Sequence, residues 1–199
     1  MKTKQILPKI LLSIILSTAV SLAHAISVTD VTFNGENADA AALLSGNDST
    51  SSINALGGSF DVGAWTLLDK TDDSATQIEG VTFTISANAA AGEFTLSWDS
   101  TGTPGLPLIM DFVFVDKAAT NYGAYLFEDE LFTSNPLTGT GTFNISWTNN
   151  GGNTPNLSHI SIYGHAVQST DVPEPATLSL IGLGLLALGI TRRKKQAKQ

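Results

Sequence analysis

From Gly80 to Trp98 the apolar residues recur at every second position. Val81, Phe83 and Ile85 alternate with Thr82, Thr84 and Ser86, and Phe94, Leu96 and Trp98 follow with Thr95 and Ser97 between them. A period of two puts one set of side chains on a buried face and the other toward solvent, which is the pattern of a half-buried strand and not of an amphipathic helix. The stretch from Thr142 to Trp147 repeats it. Residues 106–115 are apolar on both faces except for Asp111, as expected of a central strand. Val28–Phe33, Phe60–Leu68, Tyr122–Phe127 and Leu157–Val167 are further strand candidates. Gly63 is the expected bulge, because the apolar phase passes there from Phe60 and Val62 to Trp65 and Leu67. Eight or nine short strands separated by Gly, Asn, Asp, Ser and Thr predict an all-β fold: a single antiparallel β-sandwich, jelly-roll-like. One stretch departs from the pattern. Asp39–Leu44 reads as a single helical turn within an otherwise irregular, long loop over 34–58.

Charge is distributed as unevenly as hydrophobicity. The chain has 199 residues, a formal charge of −8, three His and no Cys. All eighteen carboxylates lie between residues 26 and 175, against two lysines, Lys70 and Lys117, and no arginine. Such a body cannot neutralise a phosphate backbone, which excludes nucleic-acid binding. Neither G-x-x-x-x-G-K-[ST] nor G-x-G-x-x-G occurs, so nucleotide-phosphate chemistry is disfavoured as well. Without Cys there are no disulfides, no thiolate metal sites and no Cys nucleophile.

The remaining basic residues sit at the two ends. Lys2, Lys4 and Lys9 precede the apolar stretch Ile10–Val20, and Ala23-His24-Ala25 places small residues at −3 and −1 of a cut before Ile26. This is the three-part plan of a secretory signal peptide over residues 1–25, with signal peptidase as a processing partner. At the other end Pro173-Glu174-Pro175 is followed by Ala176–Ile190 without a charge, then by Arg192, Arg193, Lys194 and Lys195. Fifteen residues at roughly 1.5 Å each give about 22 Å of helix, short of a roughly 30 Å hydrocarbon core unless the flanks contribute. The basic cluster keeps this end cytoplasmic and leaves the acidic body outside. Pro173 and Pro175 forbid helix across the motif, leaving extended backbone that a peptidase cleft can bind.

Pro-Glu-Pro, a short Gly/Leu/Ala helix and a basic terminus, in that order, resemble a PEP-CTERM sorting signal. The resemblance covers residues 172–199. It implies recognition of Pro173, Glu174 and Pro175 by a membrane exosortase, a transient anchor over 176–190, and a stop at Arg192–Lys195. It further implies release or attachment of the cargo at the cell surface, commonly beside exopolysaccharide. The intervening domain, 26–171, is similar to the cargo of short PEP-CTERM surface proteins. The similarity rests on Ser45-Gly46-Asn47-Asp48-Ser49, Gly63–Leu68, Ala124–Phe127 and Leu157–Gly164. It brings no catalytic residues with it.

Candidate chemistry within the domain is sparse. His159, Ser161, Tyr163 and His165 share one face of the last strand, expected to be a polar face toward solvent. The two histidines, six positions apart, are about 20 Å from each other and cannot share an ion. Asp111 is expected on a strand face, paired with Lys117 or with backbone. No G-x-S-x-G occurs, and carboxylates are too many for any pair to mark a glycosidase. Asp69, Asp72 and Asp73 are the oxygen-rich candidates for Ca²⁺, and no other cofactor is expected. Trp98 and Trp147 fall in phase with the core. Trp65, Tyr122, Tyr125 and Tyr163 are less constrained by phase and form a candidate carbohydrate platform. The resulting expectation is an exported, non-enzymatic surface or matrix protein. A carbohydrate-binding module is the alternative, and a glycan-acting hydrolase comes third.

Overall fold

The computed structural model describes residues 26–71 and 76–167. The expected signal helix, the Pro-Glu-Pro motif and the expected membrane helix lie outside the described residues. Among the described residues no helix is long and apolar enough to cross a membrane.

The described chain is mostly β. Its strands are β1 (Val31–Phe33), β2 (Glu36–Asn37), β3 (Ala40–Ser45), β4 (Thr66–Lys70), β5 (Gln77–Ile78) and β6 (Val81–Asn88), then β7 (Glu93–Ser100), β8 (Leu108–Ala118), β9 (Asn121–Phe132), β10 (Thr138–Phe143) and β11 (Leu157–Ala166). They form two antiparallel sheets, one ordered β2-β1-β10-β7-β6-β5 and the other β3-β9-β8-β11-β4. The alternating segments take the places their period predicts. β6 and β7 pair with Phe83 opposite Trp98 and Ile85 opposite Leu96. The doubly apolar β8 is the middle strand of the second sheet, between β9 and β11.

One aromatic core joins the inner faces. Phe33, Phe83, Phe94 and Trp98 project from the first sheet, and Phe112, Phe114, Phe127 and Phe132 from the second, all buried. Phe33 meets Phe112 edge-on with ring centroids 5.1 Å apart, and Phe94 stacks on Phe114 at 4.4 Å. Pairs of this geometry add about 0.5–1.5 kcal/mol each beyond the area they bury. On β10 the inward positions beneath these rings are glycines. A Cβ on Gly139 would sit 2.5 Å from the Phe33 ring, and one on Gly141 would collide with the Phe94 ring. The two sheets can therefore close over phenylalanines here only because β10 presents bare backbone.

Four expectations are corrected. Asp39–Leu44 is not a helical turn: Ala40–Ser45 pairs along β9 from Leu126 to Asn121, and edge pairing overrides the helix propensity of three alanines. The helix of this region is instead α1 (Thr50–Asn54), started by a capping box between Ser49 and Ser52. Phe60–Leu68 is not one strand. Gly58–Phe60 is a 3-10 turn, Gly63 lies in the following loop, and the bulge falls within β4, where β11 residues Ile162 and Tyr163 face Asp69 and Leu67. The extra residue turns both Leu68 and Asp69 toward the core side. Finally, the strand expected over 142–147 stops at Phe143, where its partner β1 runs out at Val31.

Candidate functional site

The second sheet has an outer face, and it is covered. β8, β9 and β11 present Val113, Val115, Tyr122, Ala124, Leu126 and Tyr163 outward, and Ile53 of α1 with Phe60 and Trp65 buries them in a second core. Trp65 is anchored at both of its polar ends. Its indole N–H donates to the Phe60 carbonyl at 2.9 Å. Its backbone N–H donates to Asn54 Oδ1 at 2.7 Å, while Asn54 Nδ2 donates to the carbonyls of Trp65 and Thr50. Asn54→Ala is expected to lower stability by about 1–2 kcal/mol, because the Trp65 amide loses its partner. A urea unfolding midpoint measures the change.

Under this cover lies a polar cluster centred on Asp48, three residues after β3. Its side chain is fully buried. Asp48 Oδ2 accepts hydrogen bonds from the hydroxyls of Ser161 and Tyr163, both at 2.8 Å. Asp48 Oδ1 lies 2.6 Å from His159 Nε2 and 3.7 Å from Lys70 Nζ. Positions 159, 161 and 163 converge because alternate residues of a strand share one face. The face predicted to be polar is therefore correct in composition, but it is not a solvent face. Ser161 and Tyr163 are buried beneath the segment that carries Asp48.

The electrostatics follow from the contacts. Burial by itself would raise the Asp48 carboxyl. The hydrogen bonds from His159, Ser161 and Tyr163, with the charge of His159, outweigh it and hold the group below its ordinary value. The Tyr163 hydroxyl is pushed up by burial and by the neighbouring Asp48 charge. Lys117 is lowered by burial, and its ammonium donates to the carbonyls of Ala119 and Asn121. Asp, His and Ser meet here without the geometry of a nucleophile relay. The Ser161 hydroxyl donates to the carboxylate and not to His159, and it is sealed from solvent. The chemistry of this arrangement is to hold the 46–65 segment on the sheet.

The structure separates the predicted site residues. Trp65, Tyr122, Tyr125 and Tyr163 are each 2 % exposed or less. A sugar-stacking platform needs accessible ring faces, so these four do not make one. Trp65, Tyr122 and Tyr163 fill the outer core, and Tyr125 faces the inner one. Asp69 is no open Ca²⁺ ligand either. The bulge in β4 turns it inward, and its Oδ2 accepts the Ile85 N–H at 2.6 Å, a hydrogen bond that ties the second sheet to the first. Asp72 and Asp73 lie outside the described residues. Asp111 is buried and accepts the Asp129 N–H at 2.8 Å, so its partner is backbone. Trp98 is buried, as its phase predicts, and Trp147 is buried beyond the end of β10. Asp48 was invisible as a site because it sits among turn formers. Ser45–Ser49, Gly63–Leu68, Ala124–Phe127 and Leu157–Gly164 all contribute side chains to this face.

Comparison with known proteins adds the tail. Residues 171–194 match a family model described as the PEP-CTERM protein-sorting motif. No curated protein and no solved structure matches the chain. The match spans Pro173, Glu174, Pro175, the uncharged stretch and Arg192–Lys194. A mostly β chain of two antiparallel sheets thus carries at its end the PEP-CTERM sorting motif, which marks it for export and for sorting to the cell surface by exosortase.

Proposed function

We propose that this chain is a structural or adhesive protein of the cell surface or extracellular matrix, without catalytic activity. Residues 1–25 direct export and are removed by signal peptidase. The jelly-roll-like sandwich over 26–171 is the cargo. Residues 172–199 anchor it through the helix 176–190 until exosortase acts at Pro173-Glu174-Pro175. The observation that carries this reading is the sorting motif at 171–194. Two features of the domain support it. Its densest cluster of functional side chains serves to clamp a segment onto a sheet. Its excess of carboxylates over lysines, seventeen to two, keeps it soluble and repels like-charged neighbours at a crowded surface. Exopolysaccharide is the expected surrounding material, though not through the four buried aromatics.

Intact mass and terminal sequencing of the protein from cells and from medium test the reading. The expected species begins at Ile26 and ends near Pro175. A chain that retains 176–199 is a tail-anchored envelope protein and overturns the matrix reading.

A further inference from the structure

Where the chain enters the domain, carboxylates gather without a cation among the described residues. Asp116, on the inner face of β8, is fully buried. Its Oδ1 accepts the Gly123 N–H at 3.2 Å, and its Oδ2 has no hydrogen-bond partner among the described residues. The hydroxyl of Tyr125, on the same face of β9, has none either. Burial pushes Asp116 up to about 8, and the charge of Asp30 adds to the rise. A buried carboxylate with an unused oxygen is costly, and native structures leave few of them.

The cations of the domain are all committed elsewhere. Between residues 26 and 175 the only Lys or Arg are Lys70 and Lys117. Lys70 and His159 lie at Asp48, Lys117 is held by the Ala119 and Asn121 carbonyls, and His165 lies 3.3 Å from the Ala64 carbonyl. All four belong to the outer face of the second sheet or its cover, whereas Asp116 points inward.

Ile26 lies beside this pair of carboxylates. Its side chain packs on the inner core. The point 2.8 Å from Ile26 Cδ1 at which a Gly123 Cβ would stand is also 2.5 Å from Asp116 Oδ1, so both flank the bare backbone of Gly123. The next backbone N–H, that of Ser27, donates to Asp30 Oδ2 at 2.8 Å. The nitrogen of Ile26 lies within about 3.7 Å of the Ser27 nitrogen, by bond lengths alone.

We infer that cleavage before Ile26 creates a built ion-pair site, in which the new α-ammonium of Ile26 takes Asp30 and Asp116 as its counter-charges. The inference rests on the signal-peptide reading. Hydrolysis converts the Ala25–Ile26 amide and one water into a carboxylate, which leaves with the signal peptide, and an ammonium, which stays. The precursor holds an uncharged amide at that position and lacks the pair. Maturation therefore adds stability to the amino-terminal edge of the domain as well as freeing it from the membrane. The site is satisfied only by a chain whose first residue is residue 26, since a longer end carries its charge away from the carboxylates.

The test compares the exported chain with one carrying a Ser-Gly insertion between Ala25 and Ile26, each with and without Asp116→Asn. The insertion is expected to lower the thermal midpoint by about 5 °C in the parent and by less than about 1 °C in D116N. An insertion without effect, or an equal effect in both backgrounds, overturns the inference. A second readout needs no variant. The Ile26 amine of the folded protein should react with cyanate about tenfold more slowly than in the urea-unfolded chain, because pairing raises its pKa. Equal rates overturn the inference. N-terminal sequencing of the same samples separates the two failures. A first residue other than Ile26 removes the cleavage reading beneath, whereas Ile26 first with an unprotected amine removes only the pairing.

Discussion

Asp48→Ala lowers the unfolding free energy by about 3–5 kcal/mol, the range for removing one partner of a buried ionic cluster. Four groups lose their common acceptor at once: His159, Ser161, Tyr163 and Lys70. Ser161 and Tyr163 are sealed from water and cannot recover the lost bond from solvent. For a domain of this size the thermal midpoint should fall by about 10 °C. A drop below about 1 kcal/mol in urea unfolding would show that the cluster is not what holds the 46–65 segment. Ser161→Ala and Tyr163→Phe should each cost less, and their effects should not add to that of D48A, since both hydroxyls bond the Oδ2 that D48A also removes. The pH dependence has a definite sign. The folded carboxyl of Asp48 lies below its unfolded value, so its contribution is complete above about pH 4 and is lost as pH falls through the lower, folded value. The parent should lose its stability advantage over D48A in acid and keep it at neutral pH. An advantage that stayed constant down to pH 2 would contradict this assignment.

Replacing Pro173 and Pro175 with Ala leaves the chain unprocessed in the membrane fraction. Both prolines lie within the matched sorting motif. With alanine at both positions, a helix expected over the uncharged stretch would be free to extend upstream through Glu174, since the missing N–H and the restricted φ are gone. The backbone that a peptidase must bind in extended form would then be closed on itself by helical hydrogen bonds. Both substitutions lie outside residues 26–167, so the domain is expected to unfold at the same midpoint as the parent. Western analysis of membrane, soluble and medium fractions reads the outcome. Normal release of the double variant would mean that sorting does not read this motif.

Much of the framework was legible along the chain. Period two over Val81–Ser86 and Glu93–Trp98 and the doubly apolar β8 each became the strand they predict, because alternation is a local consequence of strand geometry. The tail was legible for a similar reason: order and spacing of Pro-Glu-Pro, an uncharged stretch and basic residues are properties of a linear segment. Ala40–Ser45 was misread because three alanines carry little information until β9 offers them an edge. The bulge was misplaced because Gly63 is a conspicuous marker, whereas the register shift at Leu67 and Asp69 is set by pairing with β11.

The amino-acid sequence alone determined the class of fold, the charge segregation and the sorting address, all of which depend on neighbours in the chain. Tertiary structure alone decided which side of β11 is covered, and so turned an apparent solvent face into a buried cluster. That outcome depends on a segment more than a hundred positions away, between Asp48 and His159, folding back over the sheet. The same is true of Trp65, Tyr122, Tyr125 and Tyr163. Their chemistry suits a sugar platform equally well in or out of solvent, and only packing across strands consigned them to the cores. Scarcity of cations was readable from the start. Where each lysine and histidine is spent, and therefore which carboxylates await the amino terminus at Ile26, only the packed structure could specify.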